Sequence, residues 1–332
     1  MGAQKYTIEP HLAILLYRLF KKHKKMSLIV VGTVAFDSIA TPSGKADRVV
    51  GGAASYISLA ASHFVNMQEL ISVIGEDFPN SFLTMLESRG VGQTGLKCVQ
   101  GEKSFFWEGS YHEDFIGRDT LVTELNVLEG WEPVVPQKAK AADFVMLGNL
   151  DPTVQLSVLN QLNNPPKLVV LDTMNFWMDI ALDSLLKVIA RVDVLMINDD
   201  EARQLSSESS LPLAAEAIHK MGPRTVVIKK GEHGAMLFED GKRFYSPAYP
   251  LDKVIDPTGA GDTFAGGFIG YLANLGDTSW EAKKQALVAG SVLASFTCEA
   301  FGTERIEVLK KQEWHQRIEE LREFIRVNAV LS

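Results

Sequence analysis

The chain is poor in the features that tie a protein to an oxidising compartment, to nucleic acid or to a bilayer. Only two cysteines occur in 332 residues, Cys98 and Cys298, far apart and in no CxxC pair. That excludes a disulfide framework and a cysteine zinc site, and implies a reduced, cytoplasmic setting. The seven histidines never repeat at ligand spacing, so the ordinary zinc signatures are missing too. Basic residues are outnumbered, 33 Lys and Arg against 41 Asp and Glu, for a net charge of −8. No nucleic-acid partner is expected of so acidic a chain. A small polyanion is still allowed, because a few local donors suffice to bind it. No apolar run is long enough to span a bilayer. The nearest, HLAILLYRLFKKHKK (11–25), is apolar and then basic, the reverse of a secretory signal. Leu12, Leu15, Leu16, Leu19 and Phe20 fit one helical face, so residues 1–25 read as an N-terminal extension carrying an amphipathic helix. No stable membrane insertion is expected of it.

What is present, from Met26 onward, is an alternation of short apolar runs with helix-patterned segments. LIVVGTV (28–34), LISVIG (70–75), DFVMLGN (143–149), KLVVLDTMN (167–175), DVLMIND (193–199) and TVVIKKG (225–231) read as strands. They are rich in Val, Ile and Leu, lack alternation, and end in Gly, Asn or Asp, as strands covered on both faces do. Segments 53–64, 81–89, 154–161, 181–192 and 213–221 suit the crossover helices. The expectation is an α/β fold with a central, mostly parallel sheet and a site at its carboxyl edge. One stretch breaks the pattern: KSFFWEGSYHEDFIGRDTLVTEL (103–125) is aromatic, polar and without helix signal. With residues 40–50 it reads as a small antiparallel sheet serving as a β-rich lid. Nothing divides residues 26–332 into separate domains.

Late in the chain comes DPTGAGDTFAGGF (256–268). It is not a Walker loop, having no Lys-Ser/Thr, and its glycine spacing is wrong for a dinucleotide loop. A turn at Pro257–Thr258 leading to Gly259, Ala260 and Gly261 places free N–H groups at the start of a helix near Asp262. Such an end attracts phosphate. Asp262 then lies where a carboxylate can accept the proton of an attacking hydroxyl, and the helix N-terminus is expected to keep it ionised.

This run resembles the C-terminal signature of the ribokinase-like, or PfkB-type, carbohydrate and nucleoside kinases, and the similarity extends from about Met26 to Gly302. The resemblance implies a three-layer α/β/α fold and a kinase using ATP and Mg²⁺. It implies that Gly259, Ala260, Gly261 and Asp262 form the anion hole, with Asp262 as general base. GTVAFD (32–37) resembles the motif whose Asp, here Asp37, binds acceptor hydroxyls, and GGAAS supplies the Gly51–Gly52 turn beside the sugar. NDDE has the Asn-x-x-Glu spacing associated with the nucleotide phosphates and Mg²⁺, which gives Asn198 and Glu201, the latter acting through water. KKGEHG resembles the turn near the nucleotide and contributes Lys229, Gly231 and Gly234. A monovalent cation, K⁺, is implied near Asp256 and Thr258 together with residues 294–302.

The chain departs from the family where an Asn commonly contacts the sugar, for Tyr56 stands there. Its ring either stacks on the acceptor or belongs to the core. The leading reading is phosphoryl transfer to a sugar hydroxyl. The alternatives are a nucleoside kinase and, further off, a non-catalytic sugar- or nucleotide-binding regulator. A homodimer formed through the lid is the expected assembly.

Overall fold

The computed structural model describes residues 28–115 and 117–326, so the expected helix within 1–25 lies outside the described residues. The chain opens with β1 (Leu28–Val31), β2 (Ala35–Thr41), β3 (Gly44–Gly51) and helix α1 (Ala53–Ser62). Next come β4 (Gln68–Gly75), α2 (Asn80–Ser88), β5 (Val91–Val99), β6 (Phe105–Tyr111) and β7 (Arg118–Glu124). The middle alternates regularly: β8 (Phe144–Leu147), α3 (Pro152–Asn160), β9 (Leu168–Asp172), α4 (Asn175–Ile180), α5 (Leu182–Ile189), β10 (Val194–Asn198), α6 (Asp199–Ser206), α7 (Leu211–His219) and β11 (Thr225–Lys229). A hairpin, β12 (Ala235–Glu239) and β13 (Lys242–Ser246), precedes α8 (Ala260–Leu275), α9 (Trp280–Thr297), α10 (Glu304–Val308) and α11 (Lys311–Phe324).

Nine strands form the large sheet in the order β13-β12-β11-β10-β9-β8-β1-β4-β5. It is parallel from β11 to β5, with β12 and β13 antiparallel at one edge. β1 shows why this sheet is sandwiched. Its residues are all buried, Leu28 and Val30 in the core under α1, α8 and α9, and Ile29 and Val31 in the core under α3, α5 and α7. Period-two alternation thus feeds two hydrophobic layers, with each buried aliphatic side chain contributing about 1.5–3 kcal/mol. The six sequence-assigned strands are all present. β5 and β13 escape notice because they are edge strands, whose exposed polar residues break the continuous apolar run; β12, the largely buried run AMLFE inside β13, goes unassigned although it is apolar.

The glycines after Asp262 serve packing. A Cβ on Gly266 would lie 2.4 Å from the Ile57 carbonyl, and one on Gly267 2.9 Å from Gly290 Cα. They let α8 press against α1 and α9, which seats the helix start.

The small sheet runs β3-β2-β6-β7. β6 and β7 fall within 103–125 and β3 falls within 40–50 to within a residue, but β2 begins at Ala35, ahead of the expected segment. The sheet is not wholly antiparallel: β2 and β6 run parallel, with antiparallel partners outside them. β1 also stops at Val31, three residues before its expected end, because the chain crosses there to enter β2.

Candidate active site

The signature loop lies where the two sheets meet. Thr41 and Ser43 donate from their hydroxyls to the carbonyls of Ile255 and Val254, at 2.8 and 2.6 Å. Thr258 Oγ1 donates to the Tyr111 hydroxyl at 3.2 Å. The small sheet therefore sits against the loop that starts α8.

Within that loop, Gly259 has φ 76° and precedes the first turn of α8. Only glycine takes this conformation cheaply, and a Cβ here would also enter the Tyr56 ring, 2.3 Å from Cζ. The N–H groups of Gly259 and Gly261 find no backbone acceptor among the described residues. Ala260 differs from expectation: its N–H is closed onto the Pro257 carbonyl at 3.1 Å, so the turn itself consumes that donor. Asp256 braces the loop, its carboxylate accepting from Thr258 N at 2.8 Å and Gly302 N at 3.2 Å. Asp256 thus joins Thr258 to the far end of residues 294–302, the segment paired with them in the sequence, its own N–H also reaching the Cys298 carbonyl.

Around this loop gather charges from the carboxyl ends of β9, β10 and β11. Lys229 Nζ bonds both oxygens of Asp172, at 2.7 and 2.9 Å. It also lies 3.1 Å from where a Cβ of Gly261 would stand. Burial works to lower the Lys229 pKa, but Asp172, Glu201 and Asp262 outweigh it and hold the ammonium charged. Asn198 and Glu201 form a capping box on α6: Glu201 N donates to Asn198 Oδ1 at 2.7 Å, and Asn198 N to Glu201 Oε2 at 2.8 Å. One oxygen of Glu201 is so engaged, and Oε1 is left for a ligand or its water. Burial lifts the Glu201 carboxyl to about 7 against the pull of Lys229.

Asp262 is half-buried on the first turn of α8. Its carboxyl is raised to about 7, chiefly by burial and then by Asp172, with Lys229 and Arg118 pulling it down. The helix N-terminus does not dominate, so the expectation of a plainly ionised Asp262 is corrected. Desolvation by the two sheets outweighs the dipole.

Asp37 stands on β2, in the small sheet rather than the first strand of the large one. It is 5% exposed and is also raised to about 7, by burial and the nearby Asp256, with the Gly52 N–H opposing. The Gly51–Gly52 turn is shaped around it. A Cβ on Gly51 would lie 1.9 Å from Asp37 Oδ2, and Gly52 (φ 87°) passes 2.6 Å from the Thr33 carbonyl by the same measure. For Tyr56 the core alternative holds and the substrate-binding one is corrected: at 1% exposed, its ring lies beneath Gly259 and offers no face to an acceptor. Its hydroxyl is buried without a hydrogen-bond partner.

Beyond Lys229, the KKGEHG turn owes its Gly234 to close packing. A Cβ on Gly234 would lie 2.1 Å from the Ser246 carbonyl, while Gly231 (φ 53°) faces open space. Two residues escaped the sequence reading. Asp172 was visible only as a polar strand end, and Arg118 only as one charge in an irregular segment. Among the described residues no group of three His, Cys, Asp or Glu could hold a metal. A cavity of about 440 Å³ on edge strand β5 is lined by none of these residues, so the chemistry gathers elsewhere.

Residues 26–308 match the pfkB family carbohydrate kinase profile. A cytidine kinase of Thermococcus kodakarensis is 30% identical over 253 residues, covering 74% of this chain and 88% of that protein. A nucleoside kinase of Methanocaldococcus jannaschii is 23% identical over 283 residues, covering 80% and 83%. Among solved structures, a putative ribokinase II from E. coli in complex with ATP and Mg²⁺ superposes with a TM-score of 0.74 at 19% identity, covering 89% of this chain and 99% of that one. The chain belongs to the PfkB family of carbohydrate kinases. It is a phosphotransferase with an alcohol group as acceptor. No helix among the described residues is long and apolar enough to cross a membrane.

Proposed function

We propose that this chain is an ATP- and Mg²⁺-dependent nucleoside kinase that phosphorylates a ribose hydroxyl, with Asp262 as general base. The observation that favours a nucleoside over a free sugar is Trp107. It pairs with Asp37 across β6 and β2, so the two side chains leave the small sheet on one face, about 5 Å apart. Gly109 lets the indole lie across the strand, since a Cβ there would sit 2.2 Å from the ring. An aromatic plane beside the carboxylate that takes the ribose suits a base. The names of the relatives at 30%, 23% and 26% identity, a cytidine kinase and two nucleoside kinases, support the same choice.

The donor set fits a nucleotide. Gly259 and Gly261 offer open N–H groups, Lys229 a held charge, and the missing side chains room for phosphate. With few carboxylates to spare, Mg²⁺ would be held by phosphate oxygens and by water on Glu201, and it would neutralise phosphate charge. Asp262 takes the proton as the ribose oxygen bonds to the γ-phosphorus and the bond to the β-phosphate oxygen breaks. The small sheet acts as a lid that keeps water, a competing acceptor, out.

Two further expectations belong to this reading. K⁺ binds backbone oxygens near Asp256 and Thr258 together with residues 294–302, and replacing K⁺ by tetramethylammonium lowers activity. Two copies join through the exposed edge strand β7, where Leu121 and Val122 are bare, and sedimentation reports a dimer.

The test is ADP formation from Mg²⁺-ATP over a panel of nucleosides and free sugars. Nucleosides are expected to be the preferred acceptors. Preference for a free sugar restores the sugar-kinase reading, and ligand binding without turnover on any acceptor leaves the regulator.

A further inference from the structure

The turn after α9, residues 298–302, is fastened to the loop that leads into α8. The Cys298 carbonyl accepts from Ile255 N at 2.8 Å and from Asp256 N at 3.4 Å, and Gly302 N donates to the Asp256 carboxylate at 3.2 Å. The other side of the turn meets the small sheet, where a Cβ on Gly302 (φ 57°) would lie 3.0 Å from the Val50 carbonyl of β3. The turn is therefore wedged between β3 and the residues that precede Gly259. It has little room to shift without moving them.

Glu299, within that turn, is gripped by the C-terminal helices. Its Oε2 accepts from Arg305 Nε of α10 at 3.0 Å, and its Oε1 from Arg317 Nη2 of α11 at 2.5 Å. Both guanidiniums are fixed in turn. Arg305 donates to Glu313 at 2.6 Å, while Arg317 donates to Ser295 Oγ at 3.0 Å and lies 3.6 Å from the centre of the Phe296 ring. The side chains of Glu299, Arg305 and Arg317 are 26%, 21% and 14% exposed, so solvent screens this cluster less than an ordinary surface pair.

We propose that Glu299 is a positioning residue for phosphoryl transfer: two arginines hold it, it holds the 298–302 turn, and the turn sets the glycine-rich start of α8. The proposal rests on the kinase reading above. Replacing a sheltered ion cluster by apolar groups often leaves stability unchanged, so what the arginines supply here is geometry. Geometry matters at this place, because a misplacement of about 1 Å caused far from the chemistry can cost about a hundredfold in rate. Helices α10 and α11 thus take part in the reaction without touching it.

The start of α9 supplies the control. There Lys283 is bonded to Glu239 and, at 3.0 Å, to Thr225 Oγ1, all three buried at the amino end of β11. Turnover is measured with Mg²⁺-ATP and the fastest acceptor of the nucleoside and sugar panel, well below the melting transition. Glu299→Gln is expected to lower kcat roughly ten- to hundredfold, whereas Lys283→Met lowers the melting temperature and changes kcat less than about twofold. Asp256 bonds the same turn, so the kcat losses of Glu299→Gln and Asp256→Asn should combine to less than their product. Those of Lys283→Met and Asp256→Asn should multiply. Arg317→Met in place of Glu299→Gln repeats the cycle from α11, should the first variant fail to fold. Losses that multiply in both cycles, or a Glu299→Gln kcat within about twofold of wild type, overturn the proposal alone. A wild-type protein that turns over no acceptor overturns the kinase reading and this proposal with it.

Discussion

Lys229 Nζ lies 2.7 Å from Asp172 Oδ1, joining the carboxyl ends of β9 and β11 across β10. This pair sets the charge felt by Asp262, for Asp172 raises the Asp262 pKa and Lys229 lowers it. Opposite shifts follow for a base that must be ionised to act. Asp172→Asn should move the acid limb of the kcat/KM profile to lower pH, and Lys229→Met to higher pH. Profiles that move together would show that the pair does not act on the base.

Asp262→Asn should reduce kcat by roughly 10²–10⁴-fold, the usual worth of a general base. Retention of more than about a third of the rate would reduce Asp262 to a helix-terminal residue, since that is far below a base contribution.

The same variant should flatten the dependence of stability on pH. Asp262, Asp37 and Glu201 are each raised to about 7 in the folded protein. The folded state then binds protons more tightly than the unfolded chain. Stability from these groups is full below the ordinary carboxyl pKa of about 4 and is lost as pH rises through about 7. Nucleotide-free Asp262→Asn should therefore melt higher than wild type at pH 8, with the gap closing toward pH 5. A lower melting temperature at pH 8 would contradict the burial account.

Tyr56 separates packing from recognition. Tyr56→Phe removes a buried hydroxyl without a partner and keeps the ring against Gly259. Stability should hold or rise by up to about 1 kcal/mol, with KM for the acceptor unchanged. Tyr56→Ala should cost about 3–5 kcal/mol by emptying the floor of the site. A raised acceptor KM in Tyr56→Phe would restore the residue to the binding surface.

Two glycines should fail differently. Gly52→Ala forces a Cβ to 2.6 Å from the Thr33 carbonyl at φ 87°, so stability should fall by about 1–3 kcal/mol. Gly261→Ala meets only the flexible end of Lys229, at 3.1 Å. Its melting temperature should barely change while ATP affinity drops. Equal destabilisation of both would mean that Gly261 serves the fold.

The sequence by itself determined the layered fold and the place of the glycine-rich helix start. Buried parallel strands write themselves as unbroken Val, Ile and Leu runs, and a glycine-rich helix start needs its glycines consecutively. Asp262, Gly259 and Gly261 were legible because their chemistry is local. Tertiary structure alone decided the rest. Asp172, Lys229 and Arg118 sit 57 and 54 residues from the nearest of one another and meet only through strand order and the seat of the small sheet. Tyr56 faces the core because α1 packs against α8, and periodicity on α1 could not say which neighbour would cover it. The pKa of Asp262 is likewise collective. It depends on how much water two sheets exclude and on charges far along the chain, and no local pattern encodes either.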